Sequence, residues 1–421
     1  MSLVGARVIR KEDPNLISGR GQFVDDVKIA GTAHMVFVRS IEAHARIKDI
    51  DVSAALECEG VIGVWTATNL ELGPLPGVPG LERPALAKDK VRFVGEAVAV
   101  VVAENRYAAA DGAELVLVDY EPLGVVTNIG DAIAENAPLL YEAVGSNTVM
   151  EVPSPDDHQQ IIDEAPHSVS MHIVNNRCAP SPMEPMVCLA DHGPSGLTLW
   201  ASFQAPHHLR NTVSSWLGIA QDQCRVITPD VGGGFGAKVN FTPELFIAPT
   251  LSKLLGRPIK YTQTRSECMT QMYHGRAQEQ DVDIAFDDEG KILALRVMVY
   301  QDQGGYADPT GMGLPALTTT MAAGCYLIPN VSVAWKNVVT NTTPVAAYRG
   351  AGRPEASYLI ERAVDQIAYT LGIDPVEVRR RNYIATENFP YATHSEIAVY
   401  DSGNFAGCMN ELLNIMDYDA I

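Results

Sequence analysis

The residues with the clearest chemical promise lie between Cys224 and Gly256. Cys224-Arg-Val-Ile-Thr228 alternates and is rich in β-branched side chains, which predicts a short strand. Asp230-Val-Gly-Gly-Gly-Phe-Gly-Ala-Lys238 follows as a glycine loop. Thr242 is a good helix N-cap and Pro243 suits the first helical position. Leu245, Ala248, Leu251 and Leu255 then share one helical face, and Gly256 with Pro258 ends the helix. Gly232, Gly233, Gly234 and Gly236 let backbone N–H groups turn toward a ligand with no Cβ in the way. Such a loop suits an anion, a phosphate above all. The Walker pattern fails, because Lys238 is neither preceded by glycine nor followed by Ser or Thr. The dinucleotide fingerprint fits on paper as Gly232-x-Gly234-x-x-Ala237. Its context does not, since the helix starts only near Pro243. On the loop alone, a closely packed turn that binds nothing stays open.

Two further places invite a chemical reading. Gln204 stands between a strand, Thr198-Leu-Trp-Ala-Ser202, and a helix opened by Pro206, where a side chain can project into a cleft or simply serve the helix entry. Arg265, Glu267, His274 and Arg276 suggest a metal site, but one histidine without a partner at ligand spacing reads better as structural. Glu96, beside Gly95, reads as a turn carboxylate.

These groups need elements to hold them. The chain has 421 residues, room for two or three domains of ~150 residues each. Net charge of −20 argues against nucleic acid or anionic membrane as partner. Seven cysteines (Cys58, Cys178, Cys188, Cys224, Cys268, Cys325 and Cys408) form no C-x-x-C pair, so reduced thiols in the cytoplasm are expected. The N-terminus has no apolar signal core, and the longest apolar run, Ala97–Ala103, is strand-sized.

Residues 1–135 read as one α+β unit, with strands at His34–Arg39, Val61–Trp65, Val98–Val102 and Leu115–Tyr120 and a short helix at Asn105–Leu115. Residues 136–168, rich in proline and polar groups, read as a linker. The second domain, 169–421, carries strands at Pro258–Thr262 and Lys291–Tyr300. It also carries an amphipathic helix at Arg353–Leu371, a helix capped by Asp374-Pro375, and a terminal helix over Asn404–Ile421 expected to stop without a C-cap.

Seven stretches in order resemble one family. They are Gly19-Arg-Gly-Gln-Phe-Val-Asp-Asp26, Val91-Arg-Phe-Val-Gly-Glu-Ala-Val-Ala99, Pro182-Met-Glu-Pro185 and Ser202-Phe-Gln-Ala-Pro-His207. After them come Gly232-Gly-Gly-Phe-Gly-Ala-Lys238, His274-Gly-Arg276 and Ala347-Tyr-Arg-Gly-Ala-Gly-Arg-Pro354. Together they are similar to the large, molybdopterin-binding subunit of the molybdenum hydroxylases, the xanthine dehydrogenase, aldehyde oxidase and carbon monoxide dehydrogenase family. The resemblance covers essentially the whole chain. It implies an N-terminal a/b hammerhead domain, then the first molybdopterin-binding domain, with the second half of the subunit either missing from a fragment or supplied as a separate chain.

The resemblance further implies an oxidoreductase that hydroxylates an electron-poor carbon with oxygen from water, using molybdenum on molybdopterin, expected in its cytosine dinucleotide form. A 2Fe-2S small subunit and an FAD medium subunit would take the electrons. Gln204 would hydrogen-bond an oxo ligand and Phe235 would offer its backbone N–H to the same group. Gly233, Gly234 and Gly236 would close on the cofactor, and Arg349 would support the metal site from the far side. No glutamate here matches the family's base, so this chain alone is not expected to turn over. Val239, Leu317 and Ala351 would line the substrate pocket, where the purine-oxidising relatives carry glutamate, arginine and phenylalanine. Gly350 stands where carbon monoxide oxidisers place a copper-binding cysteine. An aldehyde or N-heteroaromatic substrate is therefore expected. A non-catalytic assembly subunit or truncated remnant is the alternative, with a simple nucleotide-binding protein behind it.

Overall fold

The structure is a computed structural model and describes residues 3–420. Met1 and Ser2 at the start, and Ile421, to which the terminal helix is expected to run, lie outside the described residues. Two compact α+β units form, and neither follows one half of the chain. The first combines residues up to Pro76 with Arg83–Leu123 and Pro180–Met272. The second combines Gly77–Glu82, Gly124–Ala179 and the chain from Tyr273 onward.

The first unit is built on a seven-stranded mixed sheet. Its order is Cys224–Ile227, Gly196–Ala201, Val187–Gly193, Ile259–Thr262, Ala33–Arg39, Ala97–Ala103 and Val61–Thr66. The Ala97–Ala103 run has no polar alternation, and all seven residues are buried, as a strand covered on both faces requires. Met35 pairs with Val102 and Phe37 with Val100 across the antiparallel ladder. These four side chains join Leu199, Leu245, Phe246 and Leu251 in one core. The early and middle parts of the chain thus share one sheet and one hydrophobic cluster.

The helix after the glycine loop runs Glu244–Leu255, with Leu245, Ala248 and Leu251 fully buried and Gly256 left-handed at its end. Thr242 does not cap it. Pro243 does take helical dihedrals (φ −51°, ψ −41°), as expected of a first helical position, and the Leu245 N–H reaches the Thr242 carbonyl at 3.1 Å, but no backbone N–H among the described residues reaches the Thr242 hydroxyl. The Thr242 hydroxyl donates instead to Glu244 Oε1 at 2.8 Å.

The second unit has a five-stranded sheet in the order Thr148–Val152, Asn330–Val338, Ile292–Asp302, Gln278–Phe286 and His167–Asn175. Helix Arg353–Leu371 covers it, burying Ala356, Leu359, Ile360, Ala363, Val364 and Ile367, the stripe its 3.6-residue period predicts. Residues 136–168, read from the sequence as linker, hold the edge strand Thr148–Val152 and helix Gln159–Glu164. Prolines at 153 and 155 end that strand without preventing it, because an edge strand tolerates them nearby.

Helix Phe405–Met416 buries no residue. It does end in a cap, contrary to expectation. Asp417 is left-handed (φ 51°), and its N–H reaches the carbonyls of Leu413 and Asn414. Among the described residues, no helix is long and apolar enough to cross a membrane.

Candidate cofactor site

In the first unit, strand Gly196–Ala201 runs into Ser202-Phe-Gln-Ala and then helix Pro206–Leu217. Phe203 is buried and stacks on Phe241 with ring centroids 6.0 Å apart, which fixes the chain on one side of Gln204. Pro206 opens the helix on the other side. Gln204 is exposed, and its backbone N–H donates to the Lys238 carbonyl at 2.8 Å. Its side-chain Oε1 accepts the Gly236 N–H at 2.8 Å. With the oxygen so used, the Nε2 amide is left as a donor.

The glycines are required here by close approach. A Cβ on Gly234 would stand 2.5 Å from Gln204 Oε1, and one on Gly232 would stand 2.5 Å from Glu184 Cβ. Gly233 and Gly236 are left-handed, both with φ 97°, and Phe235 between them has φ 53° and is 40% exposed. The loop spends its backbone donors unevenly. Gly232 N–H goes to Glu184 Oε2 at 2.9 Å, Gly236 to Gln204, and Ala237 to the Gly234 carbonyl at 3.0 Å. The Gly233 and Gly234 N–H groups have no acceptor among the described residues.

What holds the loop is a buried knot that the sequence did not reveal. Lys238 is fully buried, and its Nζ donates to the Glu184 carbonyl (2.7 Å), Glu184 Oε2 (3.0 Å) and Ser202 Oγ (2.7 Å). Ser202 donates to the same Glu184 oxygen at 2.5 Å. Burial pushes the Lys238 ammonium below its ordinary pKa, and the Glu184 carboxylate offsets part of that. Residue type carried a faint signal, since Glu184 and Lys238 both sit inside motif stretches, but their 54-residue separation hid the pairing. Asp230 anchors the other end. Its Oδ2 accepts the Gln22 N–H and its N–H donates to the Gln22 carbonyl, both at 2.9 Å, which gives the Gly19–Phe23 stretch its place.

Arg265, Glu267 and Arg276 are each engaged within their own unit. Glu267 pairs with Arg39 at 2.8 Å, and Arg265 donates to the carbonyls of Pro182 and Met183. Arg276, in the second unit, pairs with Glu355 at 3.3 Å. No group of three or more His, Cys, Asp or Glu could hold a metal ion among the described residues. Glu96 is the turn carboxylate expected, accepting the Arg92 N–H at 2.7 Å. Of the residues expected around the substrate, Val239 is half-buried and ends the turn Ala237–Val239 of the first unit. In the second unit, Arg349 is exposed on a loop, and Ala351 after it is left-handed (φ 42°). Leu317 is half-buried on helix Leu314–Thr320, against that loop: its Cβ lies 2.9 Å from where a Cβ on Gly352 would stand.

Residues 140–383 match the molybdopterin cofactor-binding domain, and residues 18–124 match the aldehyde oxidase and xanthine dehydrogenase a/b hammerhead domain. The chain belongs to the molybdenum hydroxylase large-subunit family. It is 38% identical to the carbon monoxide dehydrogenase large chain of Hydrogenophaga pseudoflava, over 98% of this chain and 54% of that one. It is 35% identical to the nicotine 6-hydroxylase large subunit of Paenarthrobacter nicotinovorans, over 100% of this chain and 53% of that one. Quinoline 2-oxidoreductase from Pseudomonas putida 86 has the same fold, with a TM-score of 0.94 and 33% identity, over 99% of this chain and 54% of that one. The chain therefore spans about half the length of these relatives and corresponds to the N-terminal half of the molybdenum hydroxylase large subunit.

The donor set of the glycine loop fits a molybdopterin. Two unpartnered backbone N–H groups and an exposed amide suit an oxygen-rich, anionic group, and only glycine at 232 and 234 lets the loop pack this closely on Glu184 and Gln204.

Proposed function

We propose that this chain is the molybdopterin-binding part of a molybdenum hydroxylase that oxidises an aldehyde or an N-heteroaromatic compound. When bound, the cofactor supplies a redox metal that places water-derived oxygen on an electron-poor carbon. The protein positions and polarises. Gln204 Nε2 would be the donor offered to the bound cofactor, because its Oε1 is tied to the Gly236 N–H and the amide cannot flip without breaking that bond. Gly233, Gly234 and Gly236 admit the cofactor to the backbone, and Phe235 offers its N–H beside them. Arg349 supports the metal site. The Gln204–Gly236 bond carries this reading, because it uses the amide oxygen and leaves the amide nitrogen as one defined donor beside the glycine loop.

The substrate class rests on Val239, Leu317 and Ala351, which replace charged and aromatic groups of purine oxidisers with aliphatic ones. Carbon monoxide is disfavoured at Gly350. It is left-handed (φ 101°), and a Cβ there would meet the Pro354 ring at 2.5 Å, so this loop has no room for a copper-binding cysteine. Nicotine 6-hydroxylase and quinoline 2-oxidoreductase, named for N-heteroaromatic compounds, support the choice. The cytosine dinucleotide form of the cofactor, a glutamate-bearing second half, 2Fe-2S and FAD partner subunits and a cytoplasmic setting complete the proposal. The seven free thiols are consistent with a reducing compartment.

The test is isolation of the native complex, with molybdenum and pterin analysis followed by kcat/KM for xanthine, an aromatic aldehyde and quinoline. Near-stoichiometric molybdenum with preference for the latter two supports the proposal. A molybdenum-free complex would sink it.

A further inference from the structure

Arg276 and Ala277 in the second unit are both left-handed, with φ 62° and φ 54°. Two successive non-glycine residues in this region are costly and persist only where their surroundings hold them. Here a buried amide chain does so. Gln301 Nε2 donates to the carbonyls of Arg276 (2.9 Å) and Ala277 (3.2 Å), and Gln278 Nε2 donates to Gln301 Oε1 at 2.8 Å. Gln280 Nε2 donates in turn to Gln278 Oε1 at 3.0 Å. All three glutamines are fully buried. The three stand on two paired strands of the five-stranded sheet, where a buried polar network is costly unless every member is satisfied.

What the network holds is the aim of one guanidinium. Arg276 Nη2 donates to the Arg349 carbonyl at 2.6 Å and Nη1 to the Tyr348 carbonyl at 3.2 Å. Its Cζ lies 4.9 Å from the centre of the Tyr348 ring. The buried Glu355 carboxylate backs it at 3.3 Å. The neighbouring chain is brought in just as closely. The Ala346 N–H donates to the His274 carbonyl at 2.9 Å, and a Cβ on Gly275 would collide with Tyr348 Cβ. Beyond Arg349, residues Gly350, Ala351 and Gly352 are all left-handed, and the loop's own ties are one tight turn, Ala351 N–H to the Tyr348 carbonyl at 2.7 Å, and longer bonds from Arg353 at 3.3 Å.

We infer that Arg276 is the positioning residue for the loop that carries Arg349, fixing Arg349 through its own carbonyl and that of Tyr348. Its importance for turnover rests on the proposed role of Arg349 at the metal site. A planar fork is what two adjacent carbonyls and a carboxylate require; a lysine ammonium on the same stem serves them as a single point charge.

The experiment uses the assembled complex with Arg276→Lys, Arg276→Met and Glu355→Gln. Hydrogen exchange is followed in peptides covering 345–353, alongside molybdenum content, kcat and KM. Arg276→Lys keeps charge and bulk, so it tests the clamp even if Arg276→Met fails to fold. The expected result is several-fold faster exchange in that segment for Arg276→Lys and Glu355→Gln. Alongside it, kcat should fall about 10–100-fold at unchanged molybdenum content, with little change in KM. Unchanged exchange in Arg276→Lys overturns the inference. Faster exchange with unchanged kcat upholds the clamp and sinks instead the proposed role of Arg349.

Discussion

Lys238 Nζ lies 3.0 Å from Glu184 Oε2 and 2.7 Å from the Glu184 carbonyl, with the lysine side chain wholly out of solvent. The pair joins the Pro182–Pro185 stretch to the far end of the glycine loop, and Ser202 ties in the strand that leads to Gln204. The loop is therefore shaped by a charge pair behind it, before any ligand arrives.

Lys238→Met should be strongly destabilising. It leaves the Glu184 carboxylate largely buried without a counter-charge, a change that typically costs about 3–5 kcal/mol. Adding Glu184→Gln to the same protein removes the stranded charge and should recover part of the loss. Thermal unfolding midpoints of the single and double variants measure this. A single variant as stable as the parent would show that the pair does not hold the loop.

Gln204→Ala should spare cofactor loading and damage turnover. One preorganised donor near developing charge is worth about 2.7–4 kcal/mol, or roughly 10²–10³ in kcat. The substitution also strands the Gly236 N–H, so hydrogen exchange at that amide should quicken. Equal activity at equal molybdenum content would make Gln204 a structural residue.

Xanthine and hypoxanthine should be poor substrates beside an aromatic aldehyde or quinoline. Val239, Leu317 and Ala351, the positions proposed to face the substrate, carry no side-chain hydrogen-bonding group, and a buried purine would leave donors and acceptors unpaired at about 1–3 kcal/mol each. It would also forgo ring stacking of roughly 0.5–1.5 kcal/mol. Steady-state kcat/KM for the assembled enzyme decides, and efficient xanthine turnover would remove these three positions from the determinants of choice.

Glu244 makes stability depend on pH. Burial raises its pKa above the ordinary value, against smaller opposing pulls from hydrogen bonds and from Arg39 and Arg83. The folded state therefore favours the protonated acid. That contribution is fully present below the unfolded pKa and is lost as pH rises through the higher folded pKa. Glu244→Gln, which mimics the protonated form, should gain stability relative to the parent as pH rises from about 5 to 8. Parallel melting curves across that range would refute the assignment.

The sequence by itself determined the local elements and the family. The helix stripe of Arg353–Leu371, the doubly buried strand at Ala97–Ala103 and the glycine loop all depend on side-chain period or on glycine's freedom, which neighbours in sequence express. The tertiary structure decided what those elements do together. Strand Ala33–Arg39 pairs with Ile259–Thr262 in one sheet, so the first unit draws on residues more than two hundred positions apart. Thr242 makes no capping bond because its hydroxyl is taken by the buried Glu244 carboxyl, and residues 136–168 became an edge strand and a helix because a sheet from later in the chain was there to receive them. Glu184, Lys238 and the Arg276 clamp were hidden for the same reason. A lysine, a glutamate or an arginine reads as a solvated charge until the fold removes its water and supplies one particular partner.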